Sequence, residues 1–398
     1  MRIAFSRISG TSTPPKQALP FQTGVPLSAG NTLREHLKFS ELVGNNGNMI
    51  HRSAMIQMLD FNRNESSQID LFRFIKAYGS PEQAAKALNE SFDGLMLTMS
   101  NILRNDATEP GIAELIDNLT IKVWCVGIGL QDSLPLGDES SVDSSILNLL
   151  KSLDKKAELF GVRGENSLEW VRSVGIKNAA AIGCPSMFAY PKNVLSIKPP
   201  KDLKKILTAG HLALSTYKKS RGHKLMQAFD KHSADYVFQG ELKQFADILD
   251  TPDSFNEALQ QPNAQMLNAL IEEKTGRKSP FEKFFSFVDC GSWRQACSQY
   301  DVYVGERIHG GVAAIQAGVP ALICFADARI EELTGFHGIT SCSLDYLASV
   351  GVEAAVEEKL TEQSIGVFHE IYQHRLKNFE KAIKDSDLKL TNRISQSV

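Results

Sequence analysis

Short apolar runs alternate with longer amphipathic stretches over most of this 398-residue chain. Continuous apolar runs are typical of strands buried in parallel sheets, whereas apolar positions spaced by three and four residues are typical of helices. The strand-like runs include Gly94–Leu97, Ile121–Val126, Val302–Val304 and Ala321–Phe325, and the last helical pattern spans residues 364–385. This alternation predicts an α/β fold made of two Rossmann-like domains, each with a parallel, helix-flanked sheet.

The chain length fits two domains of ordinary size. Lys192–Lys205, which contains Pro199-Pro200, is the best candidate for a linker. We therefore expect an N-terminal domain over residues 1–195, a C-terminal domain over residues 196–362, and a C-terminal helical segment over residues 363–398 that packs back on the first domain. The stretch from the first strand to about residue 40 is rich in Pro, Gly, Thr and Ser, which predicts a long loop.

Composition excludes several classes of protein. A net charge of −3 gives no reason to expect general binding to nucleic acid, so any anion site must be local. The six cysteines form no Cys-x-x-Cys pair, which favours reduced core thiols in a cytoplasmic protein. No apolar run approaches the roughly 18–20 residues that span a bilayer, so any membrane contact is expected to be peripheral.

The most informative motif is Val304-Gly305-Glu306-Arg307-Ile308-His309-Gly310-Gly311, followed by an apolar, Ala-rich stretch that ends at Gly318. We expect a buried strand, a sharp turn at the Gly-Gly pair and a helix. The amides and the positive dipole end of a helix start attract anions. A guanidinium and an imidazole at the same place predict a site for a small, multiply charged anion, with the amides of Gly310 and Gly311 holding one end.

Other candidate residues surround this motif. Glu306 and Asp327 are the nearest acids, and each is either a base for an acceptor hydroxyl or a supporting carboxylate. Arg163 ends a strand of the other domain, where it either faces the same site or ties the following helix to its sheet. The Asn/Gly-rich turn at residues 44–48 either reads sugar hydroxyls and phosphate or simply caps a helix; its amide side chains belong to Asn45, Asn46 and Asn48. The spacing of His211, His223 and His232 is poor for metal ligation, so no metal is expected.

Three of these segments resemble the polysaccharide pyruvyl transferase family. They are the Asn/Gly-rich turn at residues 44–48; the block Val162-Arg163-Gly164-Glu165-Asn166-Ser167-Leu168 with Gly183-Cys184-Pro185-Ser186; and Glu306-Arg307-Ile308-His309-Gly310-Gly311 with Ala317-Gly318-Val319-Pro320 and Asp327. Together they follow the family's order along most of the chain.

The resemblance implies a fold like that of GT-B glycosyltransferases, with a cleft between the two domains. It implies transfer of the pyruvyl group of phosphoenolpyruvate onto two hydroxyls of a saccharide, giving a cyclic ketal, as in exopolysaccharide biosynthesis. Arg307 and His309 would bind phosphoenolpyruvate on the C-terminal side, and the N-terminal domain would hold the acceptor, either free or lipid-linked. No cofactor is expected beyond the donor substrate, because the anion-binding residues can work without a metal.

Two alternatives stay open. A GT-B glycosyltransferase with a nucleotide-sugar donor also has a His-Gly-Gly turn before such a helix. Those enzymes commonly place a glutamate in the helix, whereas Val312–Ala317 contains no acid, which favours pyruvyl transfer. The other alternative is a saccharide-binding relative that keeps the fold without turnover.

Overall fold

The computed structural model describes residues 1–11, 45–212, 221–241, 253–256, 261–287 and 289–395. Most of the loop predicted before residue 40 lies outside these ranges. The described residues form two parallel sheets, each flanked by helices, joined by a shared apolar core.

The first sheet comprises, within the described residues, six parallel strands in the order β2-β1-β3-β4-β5-β6. Its strands are β1 (Ile3–Thr11), β2 (Ser67–Ile69), β3 (Gly94–Thr98), β4 (Lys122–Ile128), β5 (Ala157–Val162) and β6 (Ala180–Ala181). Strands β3 and β4 are almost wholly buried because helices cover both faces of the sheet.

Eight helices accompany this sheet in the described part of the N-terminal half. They are α1 (Asn48–Arg52), α2 (Ala54–Met58), α3 (Leu71–Tyr78), α4 (Pro81–Ser91), α5 (Ile112–Asp117), α6 (Ser144–Lys156), α7 (Glu165–Ser173) and α8 (Pro191–Val194). Two short 3₁₀ turns lie at Glu139–Ser141 and Pro185–Phe188. Helix α8 overlaps the start of the predicted linker, where Asn193 donates a hydrogen bond of 2.8 Å to the Gln316 carbonyl of the C-terminal half.

The second sheet comprises, in the described ranges, six parallel strands in the order β11-β8-β7-β12-β13-β14. The C-terminal half contains β7 (Ile206–Thr208), β8 (Ala234–Phe238), β9 (Phe255–Asn256), β10 (Gln261–Pro262), β11 (Phe281–Ser286), β12 (Val302–Gly305), β13 (Ala321–Phe325) and β14 (Ser341–Ser343). Strands β9 and β10 form a separate antiparallel pair.

The helices of the described C-terminal half follow the same alternation. They are α9 (Arg221–Ala228), α10 (Ala264–Thr275), α11 (Cys290–Cys297), α12 (Ile308–Gln316), α13 (Ala328–His337), α14 (Leu344–Val350), α15 (Val352–Lys359), α16 (Glu362–Asp385) and α17 (Asn392–Ser395). Within the described residues, every helix is too short or too polar to cross a membrane.

The predicted α/β fold with two parallel, helix-flanked sheets is confirmed. One expected detail is wrong, because the backbone turn lies before the Gly-Gly pair. Arg307 is the N-cap of α12, and Gly310 and Gly311 are already helical. These glycines allow close packing instead: a Cβ at Gly311 would lie 2.1 Å from Ile323 Cδ1, and one at Gly310 would lie 2.8 Å from the Tyr303 hydroxyl.

Candidate active site

A polar pocket lies where the carboxyl ends of strands from both sheets approach each other. Parallel sheets place ligands at this edge, because the loops and helix starts that follow the strands meet there. The residues that line it include Asn101 after β3, Arg163 after β5, Gln239 after β8, Arg307 and His309 after β12, and Arg329 after β13. The pocket therefore combines guanidinium groups from both halves of the chain.

Arg163 enters the pocket from the N-terminal half. Its side chain is buried, and Nη1 donates to Oδ1 of Asn101, whose own amide donates to the Leu130 carbonyl. Among the described residues, no atom accepts a hydrogen bond from Nε or Nη2 of Arg163. Gly129 makes room for the side chain, because a Cβ there would lie 2.8 Å from Arg163 Cδ. Burial lowers the pKa of Arg163 more than the nearby Cys184 and Glu332 raise it, so the charge of this guanidinium is only partly compensated.

Arg307 is held by a buried carboxylate. Its Nε donates to Glu241 Oε1 at 2.7 Å and to the Gly210 carbonyl at 3.3 Å, and Nη2 also donates to Glu241 Oε1. The other carboxylate oxygen accepts the amides of Gln239 at 3.0 Å and Gly240 at 3.1 Å. Burial is the largest single effect and acts to lower the pKa of Arg307, but the charge and hydrogen bond of Glu241, together with Tyr236 and Glu306, outweigh it and the pKa is raised. Glu241 therefore fixes the direction of this guanidinium.

Arg329 supplies a third guanidinium, from the start of α13. Its Nε lies 3.6 Å from Oδ1 of Asp327, and Nη1 donates to Gln131 Oε1 of the N-terminal half at 3.4 Å. Burial lowers the pKa of Arg329, and the nearby charges of Arg163 and Arg307 lower it further against the effect of Asp327. An arginine keeps its proton at any working pH, so all three guanidinium groups stay charged and repel one another. A bound anion relieves this repulsion.

The predicted acids Glu306 and Asp327 lie beside the pocket, where their carboxylates contact basic side chains. Glu306 is fully buried; its Oε1 lies 2.8 Å from Nδ1 of His211 and 3.2 Å from Nη1 of Arg221. Asp327 caps α13 by accepting the Ile330 amide at 3.1 Å, and Oδ2 accepts from Nη2 of Arg221 at 3.1 Å. Both carboxylates are thus engaged by basic side chains of the C-terminal half.

His309 lines the pocket and stacks on His51 of α1, with ring centroids 5.2 Å apart and an interplanar angle of 19°. Burial lowers the pKa of His309 well below 6.5, and the charges of Arg163, Arg329 and Arg307 lower it further. The imidazole is therefore neutral near pH 7 in the free protein, with one ring nitrogen able to donate and the other able to accept.

Gly310 and Gly311, the predicted amide donors, bond within the helix. Both amides donate to the Arg307 carbonyl, at 3.0 Å from Gly310 and 3.3 Å from Gly311. The structure thus gives these two glycines a packing role against Tyr303 and Ile323.

The Asn/Gly-rich turn brings two of its three asparagines to the pocket. Asn45 and Asn48 line it, and Asn45 Oδ1 accepts the Gly47 amide at 3.0 Å. Asn46 bonds to the C-terminal half instead. Its backbone amide donates to the Gln239 carbonyl at 2.7 Å, and its side-chain Nδ2 donates to the Phe287 carbonyl at 3.2 Å. Gly47 fits tightly here, since a Cβ would lie 2.9 Å from His309 Cβ. The turn therefore joins the two halves at the pocket.

The family model for polysaccharide pyruvyl transferase matches residues 60–326, which is more than half of the chain. The chain belongs to the polysaccharide pyruvyl transferase family. A search of curated proteins found no match.

Solved structures with remote similarity include Anabaena HepE in complex with UDP and glucose, at 12% identity and a TM-score of 0.47, with 97% of each chain covered. Another is UDP-GlcNAc 2-epimerase from Methanocaldococcus jannaschii, at 12% identity and a TM-score of 0.44, with 82% of this chain and 88% of that chain covered. These similarities are too remote to indicate what this family member binds.

Sequence reasoning missed the pocket residues Asn101, Gln239 and Arg329, and also Glu241, which holds Arg307. A signal was available for all four. Each is a polar residue that follows a buried strand by one to four positions, at β3, β8 or β13. Since the carboxyl ends of parallel strands meet at one edge, polar residues at these positions are candidates for the site of a family member.

Proposed function

We propose that this protein transfers the pyruvyl group of phosphoenolpyruvate to two hydroxyls of a saccharide and releases phosphate. One observation carries the proposal: the guanidinium groups of Arg163, Arg307 and Arg329 face one pocket from both halves of the chain. Family membership supports the same reaction at the level of a transferase.

The charge of the pocket suits phosphoenolpyruvate, which carries a phosphate at one end and a carboxylate at the other. Guanidinium groups bind both kinds of anion through paired, charge-assisted hydrogen bonds. Glu241 already occupies one edge of Arg307, which leaves Nη1 of that residue for the donor. Arg163 has two free donor positions within the described contacts, so it is the strongest anion ligand of the three.

Ketal formation moves two protons and one phosphate. A proton adds to the methylene carbon of the donor, and a sugar hydroxyl attacks the adjacent carbon, which carries developing positive charge. The second hydroxyl then takes the place of the phosphate, so the bond from that carbon to the phosphate oxygen breaks and the cyclic ketal closes. The proton lost by one hydroxyl balances the proton added to the methylene carbon, and the proton lost by the other hydroxyl leaves with the phosphate. The arginines stabilise the leaving phosphate, where negative charge accumulates.

His309 lines the pocket together with the three arginines. In the free protein its lowered pKa keeps it neutral, so it begins as a hydrogen-bond donor and not as an acid. A bound anion raises the pKa of a nearby histidine, which makes His309 able to carry a proton once the donor is in place. Asn45 and Asn48, on the N-terminal side, are suited to bind the hydroxyls of a saccharide acceptor, free or lipid-linked.

The proposal is tested by calorimetric titration of the purified protein with phosphoenolpyruvate, inorganic phosphate and UDP-glucose. We expect phosphoenolpyruvate to bind, and Arg163→Ala to weaken it by roughly ten- to hundredfold, as expected for the loss of a charge-assisted contact worth about 1.5–3 kcal/mol. Arg172→Ala is the matched control, because Arg172 is exposed on α7 and lies away from the pocket lining.

Turnover is read as phosphate release in the presence of a panel of saccharides, with the ketal detected by mass spectrometry. Binding of UDP-glucose without binding of phosphoenolpyruvate would assign the site to a nucleotide-sugar enzyme. Donor binding without turnover on any acceptor would favour a non-catalytic relative.

A further inference from the structure

Helix α7 of the N-terminal half is capped by a side chain of the C-terminal half. Its N-cap residue is Gly164, which has no side chain to accept the free amides of the first turn. Glu332 of α13 fills this role: Oε1 accepts the Ser167 amide at 2.7 Å, and Oε2 accepts the Ser167 hydroxyl at 2.9 Å. A carboxylate is well placed here because a helix start carries partial positive charge.

The fit of this cap requires a glycine at the helix start. A Cβ at Gly164 would lie 2.5 Å from Glu332 Cγ and 2.6 Å from its Oε1, so any larger residue would displace the carboxylate. Ser167 is fully buried and also accepts the Leu130 amide at 3.1 Å. The bonds of Glu332 therefore reach a buried, hydrogen-bonded part of the first half.

The cap joins the elements that carry two of the pocket arginines. Arg163 immediately precedes the N-cap of α7, and Arg329 lies three residues before Glu332 on α13. Residues three apart in a helix share one face, so Arg329 and Glu332 both project toward the N-terminal half. Arg329 reaches Gln131 there, and Glu332 reaches Ser167.

We propose that Glu332 is a positioning residue that sets Arg163 opposite Arg329 by capping α7 across the junction of the two halves. The apolar core that the two halves share keeps them together, and this bond fixes the start of α7, and with it Arg163, against α13. Loss of the bond lets Arg163 withdraw from the C-terminal arginines, which weakens the donor site without removing any of its ligands. This inference rests on the proposed function for its kinetic consequences, but not for its geometry.

The test compares Glu332→Ala, Glu332→Gln and the control Glu331→Ala. Glu331 is exposed on the same helix, so its loss is expected to change nothing. Glu332→Ala is expected to raise the KM for phosphoenolpyruvate at least about tenfold while kcat falls less than about threefold, the pattern for lost binding common to ground and transition states. Glu332→Gln should recover most of the affinity, because its amide oxygen can still accept the Ser167 amide.

A double-variant cycle separates positioning from general stability. In an Arg163→Ala background, Glu332→Ala should weaken binding by less than about twofold, because the arginine it positions is gone. If Glu332→Ala lowers only the melting temperature, or weakens binding equally in both backgrounds, the positioning role is wrong.

Binding of inorganic phosphate and small-angle X-ray scattering provide readouts that do not need turnover. If the wild type fails to bind phosphoenolpyruvate, the proposed function fails, while the scattering of Glu332→Ala still tests the cap. We expect Glu332→Ala to be more extended than the wild type. The control Glu331→Ala should scatter as the wild type does. Identical scattering and identical phosphate affinity in the wild type, Glu332→Ala and Glu331→Ala would overturn the inference.

Discussion

The three pocket arginines differ in how their charges are balanced. Arg307 is paired with the buried carboxylate of Glu241, and Arg329 lies 3.6 Å from Asp327. Arg163 is bonded only to the neutral amide of Asn101 among the described contacts. Since burial already disfavours its charge, Arg163 gains most from an arriving anion. This is why its substitution, and not that of Arg307, is the cleaner test of anion binding: Arg307→Ala would also strand the Glu241 carboxylate.

His309 provides a prediction at the scale of one residue. Its pKa is lowered by burial and by three arginines, so an anion that neutralises the arginines should raise the pKa. We expect the imidazole signals of His309 to shift toward the protonated form when inorganic phosphate or phosphoenolpyruvate is added near pH 6. Nitrogen-detected NMR titration measures this directly.

The control for the His309 titration is His374, which is exposed on α16 and is not among the pocket residues. Its signals should not respond to the same anions. Equal titration of His309 in the free and the saturated protein would contradict anion binding beside it.

At the scale of elements, close packing around β12 and α12 sets the position of Arg307. Gly305 ends β12 against the turn after β7: a Cβ there would lie 2.6 Å from the Ala209 carbonyl and 2.9 Å from its amide nitrogen. The same carbonyl accepts the amides of Glu306 at 2.9 Å and Arg307 at 3.2 Å. A side chain at Gly305 would therefore move backbone that holds the start of the motif.

Gly305→Ala should destabilise the fold by about 1–3 kcal/mol, the usual cost of forcing atoms into a filled core. Gly311→Ala should cost less, although its Cβ would lie only 2.1 Å from Ile323 Cδ1. That atom is the end of a flexible side chain, and alanine gains about 1 kcal/mol over glycine inside a helix. Urea unfolding of the two variants measures this order, and a larger loss for Gly311→Ala would contradict the packing argument.

The elements show how far the sequence could predict the fold. Strands such as β4 and β13 are continuous apolar runs, so their existence and their parallel pairing followed from periodicity. Strand β2, Ser67–Ile69, carries no such signal because it is a short edge strand with polar residues. The turn was wrongly predicted at the Gly-Gly pair, because a glycine required by packing looks the same in sequence as a glycine required by a turn.

The candidate site was harder to predict, because its residues come from separate elements. Arg307 and His309 share one helix start and were recognisable together. Arg329 lines the pocket because β13 pairs beside β12. Glu241 belongs to the site only through its contact with Arg307. Local pattern cannot give these distances, since they depend on the order of strands in the sheet and on how the halves pack.

At the scale of the whole molecule, the C-terminal helix and the end of α13 join the two halves. Tyr372 of α16 donates a hydrogen bond of 3.0 Å to the Met187 carbonyl, and Trp124 of β4 donates one of 2.9 Å to the carbonyl of Ser386, just after α16. His337, the last residue of α13, is fully buried, and its Nε2 accepts the Cys184 amide at 3.0 Å. These contacts fasten the second sheet to the first.

This junction predicts a loss of stability in acid. Burial, aided by the charge of Arg375 on α16, lowers the pKa of His337 to about 3, whereas an unfolded histidine titrates near 6.5. The unfolded chain therefore binds the proton first, so the stabilisation is complete above pH 6.5 and declines as the pH falls toward 3. Linkage gives a loss of about 2 kcal/mol in the free energy of unfolding from pH 7.5 to pH 5.

His337→Gln cannot take up that proton but can still accept the Cys184 amide, so its urea unfolding should show about 2 kcal/mol less pH dependence than the wild type over this range. Equal slopes in the two proteins would mean that another group governs the acid sensitivity of the junction.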